Sequence, residues 1–125
     1  MALARTDLTP GPIQVGQGVT VGICTVRSVS GVAQTIYLKS LMIHNLSQDN
    51  SENVQVHFVP NNGGSVGVAT SATQFARLGI GTDDTFFFEP PYPITLNSNG
   101  DSLQVQNEGV ADNSVNVFLL GDKEV

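Results

Sequence analysis

The amino-acid sequence predicts an all-β fold, an antiparallel β-sandwich of the jelly-roll or immunoglobulin-like type, with about seven or eight strands and an extended N-terminal arm. Three observations predict it. Short runs rich in β-branched and aromatic residues recur at intervals of roughly 8–12 residues, turn-forming residues separate them, and no segment keeps a helical period. A chain of 125 residues suits one domain with a substantial hydrophobic core.

The first segment, residues 1–18, is predicted to be an extended arm, and residues 19–125 are predicted to form the sandwich. Prolines and glycines are frequent in the arm, while its apolar side chains, among them Leu3, Leu8 and Ile13, are scattered without a helical period. This composition favours extended backbone over helix. We expect the sandwich to fold without the arm.

Eight β-rich runs follow the arm. The predicted strands are Val19–Val26, Thr35–Asn45, Asn53–Val59, Asp84–Glu89, Pro93–Leu96, Ser102–Asn107 and Ser114–Gly121, with a weaker candidate at Thr73–Ile80. Residues that tolerate positive φ punctuate the chain at 61–64 and 99–101, and the prolines at 90–93 cannot donate hydrogen bonds to a central strand. Turns and sheet edges are therefore predicted at these positions.

Alternation of apolar and polar residues identifies the inner face of the clearest strands. Five residues are predicted to be core on this basis: Val54, Val56, Phe58, Leu103 and Val105. Elsewhere large apolar side chains occupy both faces, at 41–43, 86–88 and 118–120. Each such side chain left in water forgoes roughly 1.5–3 kcal/mol. We expect the second face to be covered by the arm or a long loop, by a neighbouring subunit, or by both.

The charge balance excludes some classes of partner. Five basic residues against eleven acidic ones give a net charge of -6, without a basic cluster, so we expect no nucleic-acid binding. The sequence contains neither a secretory signal nor an apolar run of about 20 residues, so we expect no membrane partner and synthesis in a cytoplasm. The lone cysteine, Cys24, stands in an apolar run and is predicted to be buried.

No catalytic, cofactor-binding or metal-binding residue is predicted. Gly63–Gly67 matches the G-x-S-x-G nucleophile elbow, but that elbow needs a helix after the serine and a later histidine, and both histidines precede it. His44 and His57, on strands expected to be neighbours, lack further zinc ligands, and His57 is predicted to be a surface residue. The segment 49–53 is predicted to be a polar hairpin loop and 83–84 a turn.

From Thr35 to Val125 the order of these elements resembles a group of small virion proteins of tailed bacteriophages that have a β-sandwich fold. The resemblance covers most of the chain. It rests on the order and spacing of several short pieces, because no single piece is specific. Those pieces are Thr35–Tyr37, Lys39–Asn45, Val54–Pro60, Asp84–Phe88, Pro93–Leu96, Gly100–Val105 and Val115–Gly121.

The resemblance implies a structural protein of the phage particle, specifically a capsid decoration (cement) protein that stabilises the outer face of the head. Its implied partners are the major capsid protein and neighbouring copies of itself, as a homo-oligomer at the capsid surface. It brings no catalytic residues. On this hypothesis the predicted interface residues are Leu3, Leu8, Pro10 and Ile13 from the arm and Phe87, Tyr92 and Phe118 from the sandwich.

Two alternatives remain open at this stage. A component of the tail or neck would be present in about a dozen copies or fewer per particle, whereas a shell protein would be present in hundreds. A host-surface or glycan-binding module would usually present aromatic faces, but the chain has no Trp and only Tyr37 and Tyr92 as tyrosines. A glycan array would test this second alternative.

Overall fold

The computed structural model describes residues 12–108 and 114–124, together with the backbone of residues 3–7, and these residues form two large β-sheets and a small hairpin. The strands are β1 (Leu3–Asp7), β2 (Ile13–Gly16), β3 (Thr20–Thr25), β4 (Ser28–Val29), β5 (Val32–Ala33), β6 (Ile36–Asn45), β7 (Glu52–Val59), β8 (Gln74–Ile80), β9 (Thr85–Phe88), β10 (Ile94–Leu96), β11 (Ser102–Asn107) and β12 (Ser114–Glu124). The predicted all-β sandwich is confirmed.

The first sheet is built around the antiparallel pair β12 and β6. Two short strands lie end to end along the outer edge of β12, where β2 pairs with its first half and β1 with its second half. In the same way β9 and β10 share the outer edge of β6. The sheet therefore contains six strands but is only four strands wide.

The second sheet has the order β3-β11-β7-β8, with every pair antiparallel. Along the chain β2, β6, the β9–β10 segment and β12 belong to the first sheet, whereas β3, β7, β8 and β11 belong to the second. Two four-wide sheets connected in this alternating way have the topology of a jelly roll. Of the two sandwich types that the sequence allowed, the jelly roll is the one formed.

The core lies between the two sheets and follows the predicted alternation. Val54, Val56, Leu103 and Val105 are completely buried, and Phe58 is partly buried against them. The first sheet contributes side chains from its two central strands: Ile36, Leu38, Leu41, Ile43, Val115, Val117 and Leu119. Cys24 is also buried, as predicted, and burial raises the pKa of its thiol to about 11. The thiolate is disfavoured at neutral pH.

Two local features differ from the sequence-based expectations. The strand β2 is extended, as expected of the arm, but it pairs with β12 and its Val15 is completely buried in the core. Residues 1–18 thus contribute two strands, β1 and β2, to the first sheet, and β2 also contributes a core side chain. The polar segment 49–53 was expected to be a hairpin loop, but its first three residues end the connection from β6 of the first sheet to β7 of the second, and its last two begin β7.

Candidate protein-binding surface

An apolar row crosses the outer face of the first sheet. Phe118 on β12 pairs with Met42 on β6, and Met42 pairs in turn with Phe87 on β9. Their chain neighbours Leu41 and Leu119 are buried, so alternation directs the row away from the core. With Leu120, two residues from Phe118 on the same strand, these side chains form what we call the outer apolar patch: Met42, Phe87, Phe118 and Leu120.

The patch remains accessible to solvent. Phe87 is 55% exposed, and the side chains of Met42, Phe118 and Leu120 are half-buried. A large aromatic ring more than half exposed beside three further apolar side chains is typical of an interaction surface, because contiguous apolar patches on soluble proteins are small or functional. The described part of the chain does not cover this face.

Polar rows border the patch on both sides. On one side Asn116 pairs with His44, which pairs with Thr85, and the His44 Nδ1 and Thr85 Oγ1 atoms are 2.8 Å apart. On the other side Lys39 forms an ion pair with Asp122. An apolar centre with a polar rim is the usual anatomy of a protein–protein interface, and both Phe and Met are enriched at such centres.

The structure brings together two of the predicted interface residues, Phe87 and Phe118. They flank Met42, which is not among the predicted interface residues. Tyr92 is 81% exposed but lies in the segment between β9 and β10, outside the row. Ile13 opens β2 and packs against the core. For Leu3 the backbone alone is described, paired with Glu124, while Leu8 and Pro10 lie outside the described residues.

The signal that could have identified Met42 and Leu120 is the same as for the phenylalanines. Both stand in runs with large apolar side chains on successive positions, 41–43 and 118–120. What the sequence does not contain is the register that aligns these runs side by side.

The outer face of the second sheet is different, because the chain's own loop 60–73 covers it. The Gln104 Nε2 group donates to the Gly67 carbonyl at 3.1 Å, and Gln104 is buried beneath the loop. The runs 41–43, 86–88 and 118–120, for which a covering was expected, all belong to the first sheet, so this loop does not cover their outer side chains. A loop covers the second sheet, and the first sheet keeps an open face.

His57 lies under this loop, so its prediction as a surface residue is wrong. Its side chain is 2% exposed, and its ring nitrogens are each 2.9 Å from a polar atom, Thr73 Oγ1 and Gln55 Oε1. Burial lowers the pKa of the imidazole, against the smaller opposing effect of a backbone hydrogen bond at Thr70. His57 is a satisfied buried histidine, held mainly in its neutral form.

Among the described residues, the motifs considered as catalytic or metal sites lack the neighbouring groups that such sites need. Ser65 lies in a turn closed by two backbone hydrogen bonds with Asn62, and residues 66–73 contain no helix, so the nucleophile-elbow geometry is not formed. His44 and His57 belong to different sheets and are not on neighbouring strands, contrary to expectation. Among the residues described, no three His, Cys, Asp or Glu side chains converge as metal ligands would.

Comparison with known proteins gives little further information. No family model matches the chain, and no curated protein matches it. One similar solved structure is described as that of infectious bursal disease virus, Gx strain, with 9% sequence identity and a TM-score of 0.36. The match covers 98% of this chain but 30% of that one. These values are too low to transfer function. Within the described ranges, no helix is long and apolar enough to cross a bilayer.

Proposed function

We propose that this chain is a structural virion protein of a tailed phage, a decoration (cement) protein that binds and stabilises the outer face of the head. It acts by packing against protein and has neither enzymatic activity nor a cofactor. The outer apolar patch is the observation that carries the proposal. The resemblance of residues 35–125 to small virion proteins of tailed phages supports the choice of partner.

Burial of the patch would supply the binding energy. Moving Phe87 from 55% exposed to fully buried removes much of an aromatic ring from water, and complete burial of such a side chain contributes roughly 1.5–3 kcal/mol. Aromatic anchors near the centre of an interface commonly dominate its affinity. The polar rows on either side would form the rim, and a stable contact needs about 800 Å² from each partner.

Repetition on the shell would strengthen this contact. The partners we propose are the major capsid protein and neighbouring copies of the same chain, arranged as a homo-oligomer. When each oligomer engages several equivalent shell sites, the second and later contacts form at high effective concentration. Contacts that are weak singly would together hold the protein on the particle.

Particles purified from the phage that encodes this chain test the location. We expect mass spectrometry to detect hundreds of copies per particle, and antibody labelling in electron micrographs to mark the head surface. About a dozen copies or fewer, with label at the tail or neck, would reject the decoration role. Absence from the particle, together with binding on a glycan array, would instead favour a host-surface module.

Reconstitution tests the patch itself. Particles made without this protein are mixed with purified wild type, with Phe87→Ser or with Val68→Ser, and bound protein is measured after sedimentation. We expect Phe87→Ser to weaken binding about tenfold or more, equivalent to about 1.4 kcal/mol. Val68 is 80% exposed in the loop over the second sheet, so Val68→Ser is the matched control and should bind like wild type. Equal loss in both variants would contradict the assignment of the patch.

A further inference from the structure

A separate apolar cavity of about 240 Å³ lies between the two sheets, at the edge where β8 of the second sheet faces β9 of the first. Its lining comes from the inner faces of both sheets: Leu41, Val56, Phe75, Ala76, Leu78, Phe86 and Phe88. Every one of these side chains is a hydrocarbon. The cavity lies on the opposite side of the first sheet from the outer apolar patch.

The edge strands explain why a space remains here. A register shift in the pairing of β7 with β8 places Phe75 opposite no residue of β7, and its ring stacks on Phe58 at a centroid distance of 4.2 Å. The side chain at the next position, Ala76, is small and pairs with Val56. Phe75 is 42% exposed, so the cavity is bordered by a ring that reaches the surface.

We propose that this cavity is a binding site for a small nonpolar molecule, a single aromatic ring or a short alkyl chain. An engineered cavity of about 150 Å³ in another protein, lined by Leu, Ile and Phe, stays free of water and takes up benzene. The space here is larger, its lining is almost entirely apolar, and it is partly open to solvent beside Phe75. Water would find no hydrogen-bond partner among the lining side chains, whereas a hydrocarbon would restore the missing van der Waals contacts.

Titration with benzene, followed by NMR of the methyl groups, tests the site in the full chain. We expect saturable shifts confined to lining residues such as Leu41, Val56 and Leu78. Pyrimidine, a ring of the same size with two acceptor nitrogens, should bind at least tenfold more weakly, because the cavity offers it no donor. Absence of saturable binding, shifts centred elsewhere, or equal affinity for pyrimidine would each overturn the proposal.

A variant that fills the cavity gives an independent test. Ala76→Leu places a larger side chain in the space and should weaken benzene binding at least tenfold. Ala72→Leu, at an exposed position in the turn before β8, adds the same atoms outside the cavity and should leave binding unchanged. Retained affinity in Ala76→Leu would overturn the proposal. If Ala76→Leu does not fold, Leu78→Phe is used in its place, and retained benzene affinity in that variant would likewise overturn the proposal. With either variant, wild-type methyl shifts centred outside the lining residues would also overturn it.

Discussion

At the scale of single residues, His57 couples the fold to pH. Burial depresses its pKa below the ordinary value of 6.5, so the folded protein binds a proton there less readily than the unfolded chain. As pH falls below about 6.5 the unfolded chain takes up this proton first. The contribution of a neutral His57 is therefore complete above that pH and is lost as pH falls toward the lower folded-state pKa.

The variant His57→Gln tests this coupling. Urea unfolding of the wild type between about pH 7 and pH 5 should show a stability loss of up to about 1.4 kcal/mol per pH unit from this one proton. His57→Gln removes the titrating group and should flatten the profile, although its stability at neutral pH is expected to be lower. Val19→Ala, at an exposed position, removes no titrating group, so its profile should parallel that of the wild type. Identical slopes in His57→Gln and wild type would contradict the prediction.

At the scale of elements, hydrogen bonds join the turn before β11 to the loop 60–73. The Asp101 Oδ1 atom accepts hydrogen bonds from the Asn61 backbone N–H at 2.8 Å and from its side-chain amide at 2.9 Å. Burial raises the pKa of Asp101, but hydrogen bonds, first those from Asn61, outweigh this effect and leave its pKa lowered. Gly100 lies in this turn with a φ of 95°. A Cβ atom at this position would lie 2.6 Å from the carbonyl oxygen of Ser65 in the loop.

Gly100→Ala should therefore loosen the loop that covers the second sheet. A left-handed backbone conformation and a contact with a backbone oxygen both oppose the added methyl group, and we expect a loss of roughly 2–3 kcal/mol in the free energy of unfolding. Gly22→Ala on β3 is the matched control, because a Cβ there meets nothing within 4 Å. The control should unfold within about 0.5 kcal/mol of wild type. Comparable losses in the two variants would refute this account of the turn.

The strand β2 gives a second prediction at this scale. Val15 is completely buried, so Val15→Ala should cost about 2 kcal/mol of stability, measured by urea unfolding. Val19, three residues beyond the end of β2, is 45% exposed, and Val19→Ala should cost less than about 0.5 kcal/mol. A negligible cost at Val15 would mean that β2 does not contribute to the core.

The elements that the sequence predicts well are those whose signals are local. Alternation and flanking turn residues placed β3 and β6 to β12 within a few residues of their observed bounds. The pairing of β2 with β12 was not predictable, because it joins the two ends of the chain and the Pro- and Gly-rich composition of residues 1–18 obscures the strand. The burial of His57 depends on a loop, and the alignment of Phe87 with Phe118 depends on strand register.

At the scale of the whole molecule, charge is scarce where contact is proposed. The chain has 13% charged residues and a net charge of -6, but the outer apolar patch contains no ionisable side chain. On its rim, Lys39 is already paired with Asp122 within the chain. Association through this face should therefore depend on the removal of apolar surface from water and only weakly on attraction between charges.

This mechanism predicts the thermodynamics of binding to particles that lack the protein. Burial of apolar surface gives a negative heat-capacity change, which calorimetric titrations at several temperatures would detect, and affinity should change less than about threefold between about 50 and 500 mM NaCl. Phe87→Ser should bind with a smaller heat-capacity change, whereas Val68→Ser should match the wild type. A steep decrease of affinity with salt, with a heat-capacity change near zero, would show that charged groups outside the patch drive the association.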